Sequence, residues 1–322
     1  MVVPPTPSVW QTWPDAAVAA CVRRRGSAAV AVVDGTRRWY HFTHLRGQPA
    51  PAPADYLTAG AAAHAALLAL LLAHGLEPLF IPLLIPLTRG PAYVERMLGA
   101  GLPALLADPG MAPIYAHARV RLYPSGLSLP PDWRAAQAAQ AAIEDRFAHL
   151  RAVTAGNAGP RLYFGLHFAA SDPAATVLAP AAALQAALGR APTRAELVAA
   201  LYGPAPEEAL PPVRLFLSSE LQASPFVPPL LAGEEELYFT TDSLLALDRP
   251  LLRAILYDYV FLRPGAPGTD DPADYTALAP AARQTLAAWY AARGRRAFAL
   301  GTRHPQGGFW VPDLRGSADS AT

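Results

Sequence analysis

The chain has 322 residues, a length that suits either one large domain or two average ones. Hydrophobic residues make up 52% and charged residues 16%, so the chain can bury a deep core and is not a disordered polymer, despite its 35 prolines. Its formal net charge of +1 gives no extended positive field, which argues against nucleic acid as a partner.

Targeting signals and cysteines are scarce. A single cysteine, Cys21, excludes an internal disulfide and a thiolate metal site, and it favours a reducing, cytoplasmic location. The first twenty residues contain prolines and tryptophans instead of a charged start and an apolar run, so no secretory signal is predicted. Residues 57–87 are rich in Ala and Leu, but His, Gly, Glu and Pro interrupt them too often for a ~30 Å hydrocarbon core. No transmembrane segment is predicted.

Apolar runs of strand length alternate with longer helical stretches, the pattern of parallel strands joined by crossover helices. The fold class is therefore α/β. Strands are predicted at Ala28–Val33, Pro78–Ile85, Ala118–Tyr123, Leu162–Phe168, Val213–Leu217 and Glu236–Thr240. Helices are predicted at Asp55–His74, Pro91–Ala100, Asp132–Val153, Pro180–Leu188, Thr193–Leu201, Arg249–Val260 and Pro280–Ala292, with Pro91, Pro180 and Pro280 in first turns, where the missing N–H costs nothing.

Proline clusters separate several of these elements, at residues 48–53, 124–131, 204–212 and 263–272. We interpret them as loops, so that residues 1–315 form one domain. The small, polar segment 316–322 is expected to be a disordered tail.

The residues most typical of a reactive site follow the first predicted strand. Asp34 comes directly after Val33, and ligands of parallel sheets bind beyond the carboxyl ends of the strands. Gly35 permits a close backbone approach, Thr36 adds a hydroxyl, and Arg37 with Arg38 supplies guanidinium groups suited to phosphate oxygens. A carboxylate beside phosphates calls for a divalent cation, and Mg²⁺ is commonly held by one or two carboxylates plus substrate phosphates. A solvated Asp-Gly turn is the alternative on pattern alone.

The segment Asp34–Trp39 resembles the Asp-Gly-Asn-x-Arg-Trp signature of the cis-prenyltransferase (undecaprenyl diphosphate synthase-like) superfamily. It is most similar to the group that comprises the tuberculosinol and tuberculosinyl-adenosine synthases and the kolavelool-type diterpene synthases, in which the signature reads Asp-Gly-Thr-Arg-Arg-Trp, as here. The likeness continues over residues 15–312 in consistent order. Its further matches are Asp55-Tyr56, Arg89-Gly90 with Tyr93, Pro192-Thr193-Arg194 with Tyr202-Gly203, residues 237–240, residues 255–258, Leu262-Arg263 and Asp274-Tyr275.

The resemblance implies a central, mostly parallel six-stranded sheet flanked by helices, a homodimer, and an allylic prenyl diphosphate as substrate. Asp34 matches the acid that positions Mg²⁺ and assists departure of diphosphate, and Tyr56 matches a tyrosine near the reacting carbon. Gly35, Thr36, Arg37, Arg38 and Arg89 match diphosphate-binding positions. The helix from Asp55 to His74 corresponds to a wall of the tunnel for the hydrocarbon tail.

One departure from the wider superfamily separates chain elongation from the other activities. Elongating members carry an Arg-x-Gly-Gly-Glu-x-Arg-x-Ser segment that holds isopentenyl diphosphate. The equivalent stretch here is Phe216–Ser224, with Phe216 and Gln222 in place of the arginines. Each lost charge-assisted contact costs about 1.5–3 kcal/mol, so binding of a second diphosphate is expected to fall roughly a hundredfold or more. Elongation is therefore disfavoured.

The remaining motifs are interpreted as ordinary structural features and not as functional sites. Asp270, Asp271 and Asp274 fit an Asp-Asp-x-x-Asp pattern, but surrounding prolines and glycines indicate a solvated loop. The eight histidines form no zinc motif, and His41 alone lies close enough to the phosphate loop for a proton-shuttling hypothesis. Arg23-Arg24-Arg25 is predicted to be a solvated charge run, whereas Cys21 and the tyrosines Tyr257 and Tyr259 are predicted to pack in the core.

The sequence thus predicts a diterpene synthase that ionises an allylic, bicyclic C20 diphosphate with Mg²⁺ and captures the cation with water. The alternatives are transfer of the diterpenyl group to a nucleoside such as adenosine, and a non-catalytic partner subunit of a cis-prenyltransferase. A class II diterpene cyclase is the expected pathway partner, since no Asp-x-Asp-Asp motif for ring closure is present.

Overall fold

The computed structural model describes residues 4–49, 52–123, 129–169, 173–203, 209–219, 230–231, 233–263, 279–293, 301–303 and 310–312. The chain divides into two compact units, Met1–Val260 and Phe261–Thr322. The predicted single domain over 1–315 remains a prediction, and the tail 316–322 lies outside the described residues.

The larger unit is built on a six-stranded sheet in which every pairing is parallel, in the order β3-β4-β2-β1-β5-β6. The strands are β1 Ala29–Val32, β2 Leu79–Pro86, β3 Arg119–Tyr123, β4 Arg161–Ala169, β5 Leu215–Ser219 and β6 Glu236–Thr240. Each lies within two residues of the predicted run at both ends. The predicted α/β class and the central six-stranded sheet flanked by helices are therefore confirmed.

Helices connect and cover these strands. They are α1 Pro7–Thr12, α2 Asp15–Arg25, α3 Thr36–Arg38, α4 Pro53–Ala73, α5 Pro91–Arg96, α6 Leu102–Ala107, α7 Ala112–His117, α8 Arg134–Val153, α9 Pro173–Leu188, α10 Arg194–Tyr202 and α11 Arg249–Tyr257. Wider π-helical turns extend three of them, at Trp39–His44, Met97–Gly101 and Asp258–Leu262. In the smaller unit, α12 spans Pro280–Arg293, and β7 Gly301–Arg303 pairs antiparallel with β8 Trp310–Pro312.

The predicted first-turn position of Pro180 is wrong. Helix α9 begins at Pro173, which occupies the first turn instead, so that Pro180 lies inside the helix. There it cannot donate the usual backbone hydrogen bond. The helix continues through Pro180 because the sequence on both sides of it is apolar and rich in alanine. The start was therefore predicted at Pro180, whereas the helix begins at Pro173.

One face of the sheet packs against α10 and forms an aromatic core. Val30 and Phe216 are register partners on β1 and β5, and both are almost fully buried there. The ring of Phe80 stacks on Tyr163 at 4.9 Å and meets the edge of Tyr202 at 5.6 Å. Phe216 is thus a core residue, and its side chain packs away from solvent.

The N-terminal helices are anchored to the larger unit by a buried guanidinium. Arg253 on α11 donates to the Trp13 carbonyl oxygen and to Asp15 Oδ1, both at 2.6 Å, and to the Gln11 carbonyl oxygen. Its Nε donates to His74 Nε2 at 3.3 Å, at the end of α4. Because each nitrogen of the buried guanidinium donates to an acceptor, α1 and α2 are held firmly beside the end of α4.

Helix α4 includes the one segment of the described residues, Asp55–Ala73, that is long and apolar enough to cross a membrane by length and composition. Ala65, Leu68 and Leu71 on this helix are buried within the protein. The helix also provides one wall of the cavity described below.

The interpretations of Cys21 as a core residue and of Arg23-Arg24-Arg25 as a solvated run agree with this packing. Cys21 is buried, and Arg23, Arg24 and Arg25 are exposed. The hydroxyl groups of Tyr257 and Tyr259 donate to the carbonyl oxygens of Pro5 and Gly26 at 2.8 and 2.6 Å.

Candidate active site

The turn after β1 fixes a carboxylate beside two arginines. Gly35 has a φ of +68°, a left-handed conformation that glycine adopts without strain, and it lets the chain pass directly from the strand into α3. The Gly35 N–H donates to Asp34 Oδ1 at 2.6 Å, which fixes the orientation of the carboxylate. Arg37 and Arg38 follow on α3, within one helical turn of this carboxylate.

Tyr56 joins this turn from α4. Its hydroxyl lies 2.7 Å from Thr36 Oγ1, and its ring meets Tyr40 edge-on at 5.4 Å. Burial raises the pKa of Tyr56, and the nearby Tyr93 raises it further, against the opposing effects of the Thr36 hydrogen bond and the Arg37 charge. Tyr56 is therefore a neutral phenol at neutral pH that can donate or accept a hydrogen bond.

The ring of Tyr93, near the start of α5, contacts two guanidinium groups. The Cζ of Arg37 is 5.5 Å from the ring centroid, and the Cζ of Arg96 is 5.7 Å from it. Cation–π contacts of this length stabilise a cation by about 0.5–1 kcal/mol at exposed sites. Tyr93 thus orients the otherwise exposed side chain of Arg37.

All seven predicted site residues line a single cavity of about 580 Å³. They are Asp34, Gly35, Thr36, Arg37, Arg38, Tyr56 and Arg89. Arg89 reaches the cavity from the short 3₁₀ turn Leu87–Arg89 after β2, and Tyr93 lines it from α5. Since β1 and β2 are neighbours, their carboxyl ends bring residues 34–38 and 89 to the same edge of the sheet.

The remaining lining of the cavity is mostly apolar. It comprises Val33, Pro82, Leu83 and Ile85 from the two strands, Leu57 and Ala61 from α4, and Met97, Leu102 and Leu105 from the segment 97–107. The cavity therefore combines an arginine-lined edge, which carries three arginines, with an apolar wall. Such a cavity suits a ligand with a charged head and a greasy body.

Two glycines line the cavity. A Cβ added at Gly60 on α4 would meet no atom within 4 Å, so this position opens onto empty space. A Cβ added at Gly101 would lie 2.9 Å from the Met97 Cε, so a larger residue there would displace the neighbouring wall.

His64 is a second polar group on the α4 wall, two turns after Tyr56. Its Nδ1 lies 2.6 Å from the Gly60 carbonyl oxygen, which can only accept, so that Nδ1 carries the hydrogen. Burial lowers the pKa of His64, although the hydrogen bond to Gly60 opposes this effect. The imidazole is therefore neutral at neutral pH, with an acceptor lone pair on Nε2.

The single carboxylate of the cavity lining suits a cation that is held mainly by the oxygens of a substrate. Asp34 is the sole carboxylate among the lining residues, and no group of three or more His, Cys, Asp or Glu side chains is gathered for a metal within the described part of the chain. One Asp34 oxygen accepts the Gly35 N–H, and the second can ligate. Mg²⁺ is commonly bound through one or two carboxylates with phosphate oxygens and water, so the residues present fit it.

Some predicted positions do not join this site. His41 is exposed and is absent from the cavity lining, so the proton-shuttling hypothesis has no geometric support. Gln222 and the acidic residues Asp270, Asp271 and Asp274 lie outside the described residues. Asp55 of the Asp55-Tyr56 match accepts the Ala52 N–H at 2.8 Å and so caps the start of α4.

Five further lining residues were not predicted from the sequence: Gly60, His64, Met97, Leu102 and Leu105. Helical periodicity was the signal that could have found the first two, since Tyr56, Gly60 and His64 are spaced by four residues and share one face of α4. The segment 97–105 carried no such signal, because two different helices and a π-helical turn meet there.

No protein-family model matches the chain. A tuberculosinyl adenosine transferase of Mycobacterium tuberculosis (strain CDC 1551 / Oshkosh) is 29% identical over 306 residues, which cover 93% of this chain and 96% of the relative. A (+)-kolavelool synthase of Herpetosiphon aurantiacus is 35% identical over 122 residues, 37% of each chain. Among solved structures, lavandulyl diphosphate synthase of Lavandula x intermedia in complex with dimethylallyl diphosphate gives a TM-score of 0.49 at 14% identity, over 73% of this chain and 95% of that one.

Proposed function

We propose that the chain ionises an allylic C20 diphosphate and captures the cation with water. Its similarity to tuberculosinyl adenosine transferase and (+)-kolavelool synthase confirms the resemblance drawn from its sequence and supports this proposal. The chain is an enzyme of the prenyl transferase and terpene synthase class. The product would be a diterpene alcohol. The observation that carries the proposal is the single cavity in which Asp34, Arg37, Arg38 and Arg89 adjoin an apolar wall.

The leaving group would be neutralised at the edge of the sheet. Arg37, Arg38 and Arg89 would donate to diphosphate oxygens, and the backbone at Gly35 permits a close approach. Asp34 would hold Mg²⁺, which, when bound, neutralises charge that develops on the departing diphosphate. Electrostatic stabilisation of that departing charge is the main contribution that these residues can make to the rate.

Tyr56 would act at the reacting carbon. The Thr36 hydroxyl holds the phenol in place, and its raised pKa keeps its proton on at neutral pH. A neutral phenol oxygen can stabilise an allylic cation or orient the incoming water without forming a bond to the substrate. The apolar lining excludes bulk water, so that one positioned water captures the cation.

Chain elongation fits the residues less well. Phe216, at a position where elongating enzymes keep an arginine, is 2% exposed and packs in the aromatic core. It has no group that can bind a second diphosphate. An elongation reaction would therefore depend on residues beyond the described part of β5.

Transfer to a nucleoside such as adenosine is the second candidate, and it is favoured by the name of the relative that is aligned over 96% of its own length. Product analysis separates the two reactions. The purified protein is incubated with kolavenyl, tuberculosinyl or geranylgeranyl diphosphate and Mg²⁺, in ¹⁸O-labelled water, with and without adenosine. Water capture predicts an ¹⁸O-labelled diterpene alcohol in both cases, whereas nucleoside transfer predicts an adduct that appears only with adenosine.

A non-catalytic partner subunit is the candidate from another class. Such a role does not require the acid and arginines of the phosphate-binding turn, which are present here and face the cavity. Absence of turnover together with binding to an active prenyltransferase would favour the partner role.

The proposal further includes a homodimer, a cytoplasmic location and supply of the substrate by a class II diterpene cyclase.

A further inference from the structure

Resting on the proposed function, we propose that His64 selects substrates whose hydrocarbon part carries a hydrogen-bond donor such as a hydroxyl. Nε2 of His64 would accept this hydrogen bond inside the cavity. His64 would then be a specificity-determining residue, distinct from the groups that bind the diphosphate.

The tautomer of His64 follows from its hydrogen bond. The Gly60 carbonyl oxygen accepts from Nδ1–H at 2.6 Å, so the lone pair of the neutral ring is on Nε2. Among the described residues, no hydrogen-bond partner contacts Nε2. The ring is half-buried and lines the cavity, so a bound ligand is what would complete its hydrogen bonding.

The position along α4 separates His64 from the reacting carbon. His64 comes eight positions after Tyr56, which corresponds to about 12 Å along a helix at ~1.5 Å per residue. A base that removes a proton from the allylic cation must lie within hydrogen-bond reach, or one water, of that proton. Since Tyr56 would lie at the reacting carbon, His64 would be too far away for that role and would lie beside the body of the substrate.

The acceptor atom of His64, Nε2, is surrounded mainly by apolar lining residues. Besides His64, the titratable groups that line the cavity are Asp34, Tyr93 and the three arginines, which lie at the arginine-lined edge, and Tyr56, two turns earlier on α4. The lining near His64 on its own helix consists of Leu57, Gly60 and Ala61. A purely hydrocarbon tail would displace water from Nε2 without replacing the lost hydrogen bond, whereas a hydroxyl group would donate a hydrogen bond to Nε2.

Binding measurements test this without requiring turnover. The probes are the thiolodiphosphate analogues of farnesyl and geranylgeranyl diphosphate, which resist ionisation, each compared with the same analogue carrying a hydroxyl on its terminal carbon. Isothermal titration calorimetry with Mg²⁺ gives Kd for wild-type protein, His64→Leu and His64→Gln. The matched control is Ala62→Leu, an exposed position on the same helix that does not line the cavity.

For the wild type we expect at least tenfold tighter binding of one hydroxylated analogue than of its hydrocarbon parent. His64→Leu should reverse this preference, His64→Gln should retain part of it, and Ala62→Leu should leave it unchanged. Equal binding of both members of each pair to the wild type, or a preference that survives His64→Leu, would overturn the inference. Failure to bind any of the four probes would instead count against the proposed function.

Discussion

The hydroxyl groups of Thr36 and Tyr56 lie 2.7 Å apart, and this contact joins the turn after β1 to the wall of the cavity on α4. Thr36 precedes two arginines, and Tyr56 begins the stripe of α4 that faces the cavity. The contact therefore couples the part of the site that would hold diphosphate to the part that would hold the reacting carbon.

A double-mutant cycle measures that coupling. We expect Tyr56→Phe and Thr36→Val each to lower kcat more than they change KM, because the Thr36 side chain would hold the phenol that acts on the cation, whereas the three arginines would supply most of the ground-state binding of diphosphate. Together they should cost less than the sum of the single effects, with a coupling energy of about 1 kcal/mol, as for residues in direct contact. Steady-state kinetics on the four proteins gives this value, and strictly additive effects would show that the contact is incidental.

Asp34→Asn should remove most turnover and leave the fold intact. The described hydrogen bond of Asp34 is to its neighbour Gly35, so the carboxylate contributes little to stability, whereas its charge would hold Mg²⁺. We expect kcat to fall by about 10²–10³, the effect of removing one major electrostatic group. Diphosphate release and thermal melting are measured with Asp132→Asn, an exposed site, as the control. A variant that keeps most of its activity would contradict the assigned role.

Gly60→Leu should shorten the cavity without harming the fold. A side chain there enters open space, and replacement of a helical glycine stabilises by up to about 1 kcal/mol. We expect KM for geranylgeranyl diphosphate to rise at least tenfold, with a smaller change for the shorter geranyl diphosphate. Ala62→Leu serves as the control because residue 62 is exposed. Equal effects on both substrates would place the hydrocarbon chain elsewhere.

Acid should destabilise the protein below pH ~6.5. Burial lowers the pKa of His167 from 6.5 to about 4, and its Nε2 lies 3.2 Å from the buried Tyr123 hydroxyl. The unfolded chain binds a proton at this histidine below pH 6.5, whereas the folded protein does so only near pH 4, so stability is lost as the pH falls through this window. At ~1.4 kcal/mol per pKa unit, the loss is of order 3 kcal/mol.

Denaturant unfolding at pH 7, 6, 5 and 4 checks this slope. His167→Gln should flatten it, whereas His149→Gln, at an exposed position, should not. Burial lowers the pKa of His64 and His74 as well, so part of the slope will persist in His167→Gln. An identical slope in both variants would mean that His167 is protonated alike in the folded and unfolded chain.

The strands were the most predictable part of the fold. Buried parallel strands are continuous apolar runs, and Glu236–Thr240 was predicted with the bounds that it has. Short helices were less visible: α1, α2, α3, α6 and α7 were not predicted, because segments of three to eleven residues show too little periodicity. Pro180 was misplaced since an isolated proline does not reveal whether a helix starts there or has already begun.

For the site, sequence reasoning found the polar residues and missed most of the wall. Asp34 through Arg38 are contiguous and follow a strand, so their shared location could be inferred before the structure was known. Tyr56 and Arg89 came from the resemblance alone. The convergence of Met97, Gly101, Leu102 and Leu105 depends on how α6 packs against α4, a tertiary relationship that no local pattern encodes.

The most direct measurement is the release of inorganic diphosphate when the folded protein is mixed with Mg²⁺ and each of kolavenyl, tuberculosinyl and geranylgeranyl diphosphate in turn. If the arginine-lined edge and the apolar wall of the cavity act together on a prenyl diphosphate, at least one substrate will release diphosphate, and Asp34→Asn will abolish most of it. No release from any of the three, by protein shown to be folded, would contradict the account.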